Sequence, residues 1–278
     1  MVEATVSDAR WRLPSADAAL KAAAQVWFLV AIAGQWAFVY YIVGFYAGPT
    51  LRGHFQTWSR NTDLIKGYVA GDGVGNLYFA AHVLIAALIT TSGAFQLFPR
   101  IRARAPSFHR WNGRIYILAA FLMATGGLWM VWVRGTFLTI YGAAGSTLLG
   151  AMIMICAAMT LRSAMARRID AHQRWAMRTF LLVNGVWFQR LGYNFWIILN
   201  QGPVGIGDRM DGPFDIIWGF GAFLFPLAVF ELYRRARDHA SAGGKSAMAA
   251  ALLVLAIVTG VGIYGAYMFM WRPVLAKV

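Results

Sequence analysis

Phe108-His109-Arg110-Trp111-Asn112-Gly113-Arg114-Ile115-Tyr116 is a basic, aromatic segment that turns apolar at its end, and from Ile115 to Val133 the chain carries no charged residue. About 20 mainly apolar residues in a helix cross the ~30 Å of hydrocarbon in a bilayer. The segment therefore stands at a membrane boundary, and the run behind it reads as a transmembrane helix. A related segment, His172-Gln173-Arg174-Trp175-Ala176-Met177-Arg178, opens another apolar run further along.

The remaining chain has the same character. Of its 278 residues 59% are hydrophobic and only 13% charged, whereas water-soluble domains carry about 25% charged residues. Seven spans are predicted, roughly Ala22–Tyr46, Leu77–Phe98, Ile115–Val133, Phe137–Leu161, Trp175–Leu199, Phe214–Glu231 and Ala247–Trp271. Each must be helical, because lipid offers no partner to a free backbone N–H or C=O. The expected fold is an all-α polytopic integral membrane protein, a single membrane domain of seven transmembrane helices with a four-helix core from spans two to five. Hairpins two-three and four-five each carry a histidine-arginine-tryptophan cluster at the start of their second helix, a faint internal repeat of a kind that can place a site between two halves.

The formal net charge of +14 does not call for nucleic acid. Seventeen basic residues fall before span one or in the loops two-three, four-five and six-seven, against seven on the opposite side. That is the positive-inside pattern, and it predicts an inner-membrane protein with a cytoplasmic N-terminus and a C-terminus on the other side. Glu3, Asp8 and Asp17 among the first basic residues make a poor leader, so the first span is expected to stay. Cys156 is the single cysteine, lies within a span, and excludes an intramolecular disulfide. The outer loop Ala47–Asn76 holds His54, Trp58 and Tyr68 and is expected to lie partly as an interfacial helix. Its glycine-rich end, Gly71 to Asn76, lacks the spacing of a phosphate or dinucleotide loop.

Ionisable residues inside spans are costly and become functional candidates. His82 in span two shares a helical face with Ala86, Ile89, Gly93 and Gln96, suited to facing other helices. Gly142, Ser146 and Gly150 form a close-packing ridge on span four. Arg190 in span five is accompanied by Asn184, Gln189, Tyr193 and Asn194, and lies five helical turns from His172 on one face. Glu231, after a kink expected at Pro226, is expected to pair with Arg178, Arg234 or Arg114.

Two readings apply to the histidine clusters. Arg110, Arg114, Arg174 and Arg178 can contact lipid phosphates while Trp111 and Trp175 join the aromatic belt. Alternatively His109 and His172 ligate the iron of a b-type haem from two neighbouring helices, with Arg110 and Arg174 near its propionates.

His82, Gly93, Gln96, Pro99, Arg100, Arg102, Pro106, His109-Arg110, Gly113-Arg114 and Tyr116, followed by His172, Arg174-Trp175 and Arg178, resemble an uncharacterised bacterial membrane family listed as domain of unknown function 2306. The resemblance spans roughly Gly71 to Glu231 and implies a helical membrane fold without an established activity. A looser likeness is to the ascorbate-reducible transmembrane b-type cytochromes, which would pair His109 with His172 at one haem. A second haem would need a histidine opposite His82 on span four, and that span has none.

Three functions are therefore expected to compete. One is electron transfer through haem b, with His82, Arg190 and Asn194 lining an outer pocket for a quinone or other membrane redox partner. A second is haem-free transport or binding of a small molecule in that outer cavity. The third is an accessory or assembly subunit of a respiratory complex.

Overall fold

The computed structural model describes residues 15–60, 67–136 and 139–276, and every regular element among them is helical. The main helices are α1 (Ala16–Ile42), α2 (Gly73–Leu97), α3 (Pro106–Trp132), α4 (Ile140–Met165), α5 (Ile169–Val183), α6 (Gly185–Asn200), α7 (Pro213–His239) and α8 (Ala242–Gly265). α1 continues through a π-helical turn, Val43–Ala47, into Gly48–Leu51, and α8 through a second, Ala266–Trp271, into Arg272–Leu275. Arg10, Arg12, Lys66 and Lys277, counted in the charge pattern, and Phe137, where span four was expected to begin, lie outside the described residues.

Helix starts follow from short polar caps and prolines. Ser15, Asp72, Thr139 and Ser241 accept the backbone N–H of Ala18, Gly75, Gly142 and Gly244, satisfying donors that a first turn leaves open. α3 and α7 begin with Pro106 and Pro213, whose missing N–H costs nothing there.

Among the described residues six helices are long and apolar enough to cross a membrane: Ala16–Leu51, Gly73–Leu97, Pro106–Trp132, Ile140–Met165, Pro213–His239 and Ala242–Leu275. The expected fifth span is instead two shorter helices, α5 and α6, meeting at Asn184. The Asn184 side chain turns back and donates to the Phe180 carbonyl at 2.8 Å. Such a local bond competes with the helical ladder, and the Asn184 backbone opens to φ −83°, ψ 5°. α7 stays helical through Pro226.

α2, α3, α4 and α5 pack in sequence, but the expected core of spans two to five is incomplete. α1 packs along α8, α2 against α1, and α6 against α7 and α8. One buried cluster joins Tyr41 and Phe45, Phe79, Phe180 and Trp187, and Trp271, so the first and last helices belong to the core. The reason is the break: beyond Asn184 the fifth segment leaves α4 for α8. Of the α4 ridge, Gly150 packs inside the chain, where an added Cβ would stand 3.3 Å from Leu128, while Gly142 and Ser146 are half-buried. Gly145, outside that ridge, would place a Cβ 3.1 Å from the Gly219 carbonyl.

The outward stripe of α3, Trp111, Ile115, Leu118 and Leu122, is 63%, 45%, 61% and 50% exposed. A continuous apolar stripe of that kind marks a lipid or partner surface, and the membrane supplies the lipid. At the end opposite the arginine-rich loops, Phe55–Arg60 forms a short 3-10 helix in the loop where an interfacial helix was expected. There Arg134 bonds Asp72 at 2.9 Å, the Gly67 carbonyl at 2.9 Å and Asn76 at 3.1 Å, pinning the loop to the end of α3.

Candidate functional site

Candidate residues gather at two levels. At the arginine-rich end, His109 and His172 each occupy the fourth position of their helix, in α3 and α5. They lie within electrostatic reach of each other, and His109 also senses Arg102 and Arg110. His172 Nδ1 is 3.1 Å from the Thr160 carbonyl oxygen. A carbonyl only accepts, so Nδ1 carries a proton and donates, which leaves Nε2 as the ring nitrogen turned away from Thr160. Thr160 and Thr179 hydroxyls stand 3.0 Å apart below it and tie α4 to α5.

His109 is held differently. Gln96 donates to its backbone carbonyl at 3.1 Å, and Asn112 makes a reciprocal pair with Ser92 at 2.8 and 2.9 Å. The α2 face predicted from His82 to Gln96 therefore does face other helices, and its Gly93 admits the rings of Tyr116 and Phe180. His109 Nδ1 and the Tyr116 hydroxyl, two turns apart on one face of α3, are buried without a partner among the described residues.

The repeat extends to side-chain geometry in one respect. Arg114 lies over the Trp111 ring at 4.7 Å and Arg178 over Trp175 at 4.5 Å. Beyond that the clusters diverge. Arg178 bonds Glu231 at 2.8 Å and Arg234 bonds the same carboxylate at 3.1 Å, the pairing expected for Glu231 in two of its three forms. Arg110 is exposed and bonds Ser107 at 3.0 Å, and Arg174 is exposed.

At the far level the structure brings His82 and Arg190 within electrostatic reach. The Arg190 guanidinium lies 5.5 Å from the centre of the Phe38 ring and donates to the Val186 carbonyl at 3.2 Å. Among the described residues no carboxylate pairs with it. Asn194 is buried and donates to the Arg190 carbonyl at 2.8 Å and to the Met270 sulfur at 3.0 Å. His172 and Arg190 do not look onto the same neighbours as an unbroken helix would require. The turn at Asn184 leaves His172 on α4 and Arg190 beside α1.

Most aromatic residues of this level were not singled out by sequence reasoning, and Trp58 was named there only as part of the outer loop. Phe38, Tyr41 and Trp271 pack as rings 5.5 to 6.1 Å apart, and Trp58 stands 5.8 Å from Phe79, one turn from His82. Trp58 Nε1, Trp187 Nε1, Trp271 Nε1 and His82 Nδ1 are buried without a partner among the described residues. Gln35 on α1 bonds Asn184 at 3.1 Å deep in the bundle. Both π-helical turns border this region through Phe45 and Trp271, and such turns frequently mark functional sites. Tryptophan in a membrane chain reads as interfacial belt, which hid these wall residues; the polar Gln35 in span one was the available signal.

Residues 79–233 match the family described as predicted membrane protein (DUF2306), more than half of the chain. The chain belongs to that family. No curated protein and no solved structure matches it. The family segment begins at Phe79 and ends at Tyr233. It thus contains both histidine clusters, His82, Arg190 and Glu231, but not the α1 and α8 walls around Arg190. The likeness to b-type cytochromes has no support from these comparisons.

Proposed function

We propose that this protein binds a small anionic molecule between α1, α2, α6 and α8, with Arg190 holding the anionic group and His82 and Asn194 completing the polar contacts. The observation that carries this is Arg190 itself, a half-buried cation on α6, taken as membrane-embedded, with no carboxylate beside it among the described residues. A charge at that depth is expensive, and intramembrane charges pair with one another or mark a substrate pathway. The buried indole and imidazole nitrogens around it are further groups that a ligand can satisfy. In this reading the α5–α6 pair is the seventh crossing, which puts the N-terminus on the cytoplasmic side of an inner membrane and the C-terminus opposite.

The test uses the full chain in lipid nanodiscs, with benzoate, succinate and inorganic phosphate as probes and tryptophan fluorescence as readout. At least one anion is expected to bind, Arg190→Gln to abolish the response, and His109→Ala to leave it intact. Binding by Arg190→Gln equal to wild type would sink the reading. Uptake of the same anion into proteoliposomes separates transport from binding alone.

A second reading assigns His109 and His172 as the axial pair of a b-type haem, with Arg110 and Arg174 toward its propionates. Their placement at one level suits that donor set, and the Thr160 carbonyl orients His172 as outer partners orient metal-ligating histidines. Haem would supply one-electron chemistry, with a quinone or other redox partner at the far site. Protein expressed with haem supplied and showing no Soret band excludes it. The third expected role is an accessory subunit docking through small-residue ridges; on α4 Gly150 of that ridge packs on α3, while Gly142 and Ser146 are half-buried.

A further inference from the structure

The two histidine-arginine-tryptophan clusters look alike in sequence and differ in electrical surroundings. Between Asp72 and Asp170 the chain has no acidic residue. Arg100, Arg102, Arg104, Arg110 and Arg114 therefore have no carboxylate of their own segment, and none pairs with one among the described residues. All five are exposed. In the other cluster Arg178 is paired with Glu231, Asp170 lies one turn before Arg174, and Trp175 is partly buried against a core cluster. Trp111, by contrast, points outward at 63% exposure with Arg114 stacked on it.

From Trp111 the exposed stripe runs past Arg114 along α3 through Ile115, Leu118 and Leu122. A charge cluster on top of an apolar stripe is the shape of a phospholipid: phosphate at the guanidinium, acyl chain along the helix. Arg110 and Arg114 stand one helical turn apart, a separation of roughly 5–6 Å between their Cβ atoms, and the short helix Pro99–Arg104 brings further arginines from a second element.

We propose that Arg110, Arg114 and the arginines of Pro99–Arg104 form a binding site for an anionic phospholipid with two phosphates in its headgroup, and that the Arg174–Arg178 cluster does not. Guanidinium is suited to this because its planar fork bonds two phosphate oxygens at once. Trp111 fixes the Arg114 fork by stacking and sits at the headgroup level itself. The site is independent of the anion site at Arg190, from which it is separated along the length of the bundle.

The test is native mass spectrometry and titration of the full chain in detergent with diphosphatidylglycerol, phosphatidylglycerol and phosphatidylcholine. Diphosphatidylglycerol is expected to be retained most and phosphatidylcholine least. Arg114→Gln and Arg110→Gln should each weaken diphosphatidylglycerol binding about fivefold, the contribution of one arginine near an anionic headgroup. Arg174→Gln should change it less than about twofold on the same scale. These exposed substitutions should leave the lipid-free melting temperature unchanged, and Arg114→Lys should retain part of the affinity. Equal weakening by Arg174→Gln and Arg114→Gln overturns the proposal. So does phosphatidylcholine binding as well as diphosphatidylglycerol, or inorganic pyrophosphate competing as strongly as the lipid.

Discussion

Gly75→Ala is expected to destabilise this protein, against the usual sign of that substitution in a helix. Alanine in place of glycine within a helix ordinarily stabilises by up to about 1 kcal/mol. At position 75, however, the added Cβ would fall inside the van der Waals limit of the Asp72 carboxylate and 2.6 Å from Arg134 Nε. Those two groups form the ion pair that closes the far loop onto α3, with the Arg134 side chain only 5% exposed and Asp72 33%. Breaking a buried ion pair costs roughly 3–5 kcal/mol. The lower end applies because Asp72 is one-third exposed and the Gly67 carbonyl and Asn76 remain to accept from Arg134. Subtracting the helix gain leaves a net loss of about 2 kcal/mol. Reversible unfolding in bicelles measures it, with Gly73→Ala as control, since a Cβ there meets nothing within 4 Å. The decisive comparison is made in the Asp72→Ala background. With the carboxylate gone, Gly75→Ala should become neutral or stabilising. Equal effects of Gly75→Ala and Gly73→Ala, or an undiminished penalty in the Asp72→Ala background, would refute the reasoning.

Asn112→Ala removes both hydrogen bonds to Ser92 and should cost about 1 kcal/mol by the same unfolding assay, since interhelical bonds in membranes average about 0.6 kcal/mol each. Glu231→Gln withdraws the carboxylate shared by Arg178 and Arg234. A loss of roughly 2 kcal/mol is expected, and Arg178→Gln in that background should add little. Gly262→Ala places a Cβ 2.7 Å from the Leu191 carbonyl, a backbone atom that cannot swing away. It should cost about 1–3 kcal/mol and weaken anion binding at Arg190 by shifting α6 against α8.

Much of the fold can be read along the chain because lipid imposes a local rule: an apolar run must satisfy its own backbone, so it is a helix. The caps at Ser15, Asp72, Thr139 and Ser241 and the prolines at 106 and 213 are local in the same sense. Glu231 was legible too, as the acidic residue closing span six beside a basic surface. The break at Asn184 was not, because asparagine inside an apolar run is compatible with an unbroken helix until its side chain takes the Phe180 carbonyl. Nor was the Arg134–Asp72 clamp, whose partners are 62 positions apart and read singly as loop charge.

What the sequence determined by itself is therefore the membrane class, the helical content, the basic end and the short list His82, His109, His172 and Arg190. The tertiary structure alone decided how those residues are shared out. It put Arg190 with His82 and the rings of the first and last helices, hung His172 on the Thr160 carbonyl, and paired Arg178 with Glu231 while leaving Arg114 exposed. Charge and hydropathy act at each position and are written in order along the chain. Pairing depends on which helix faces are opposed, and that is set by packing between residues far apart in sequence.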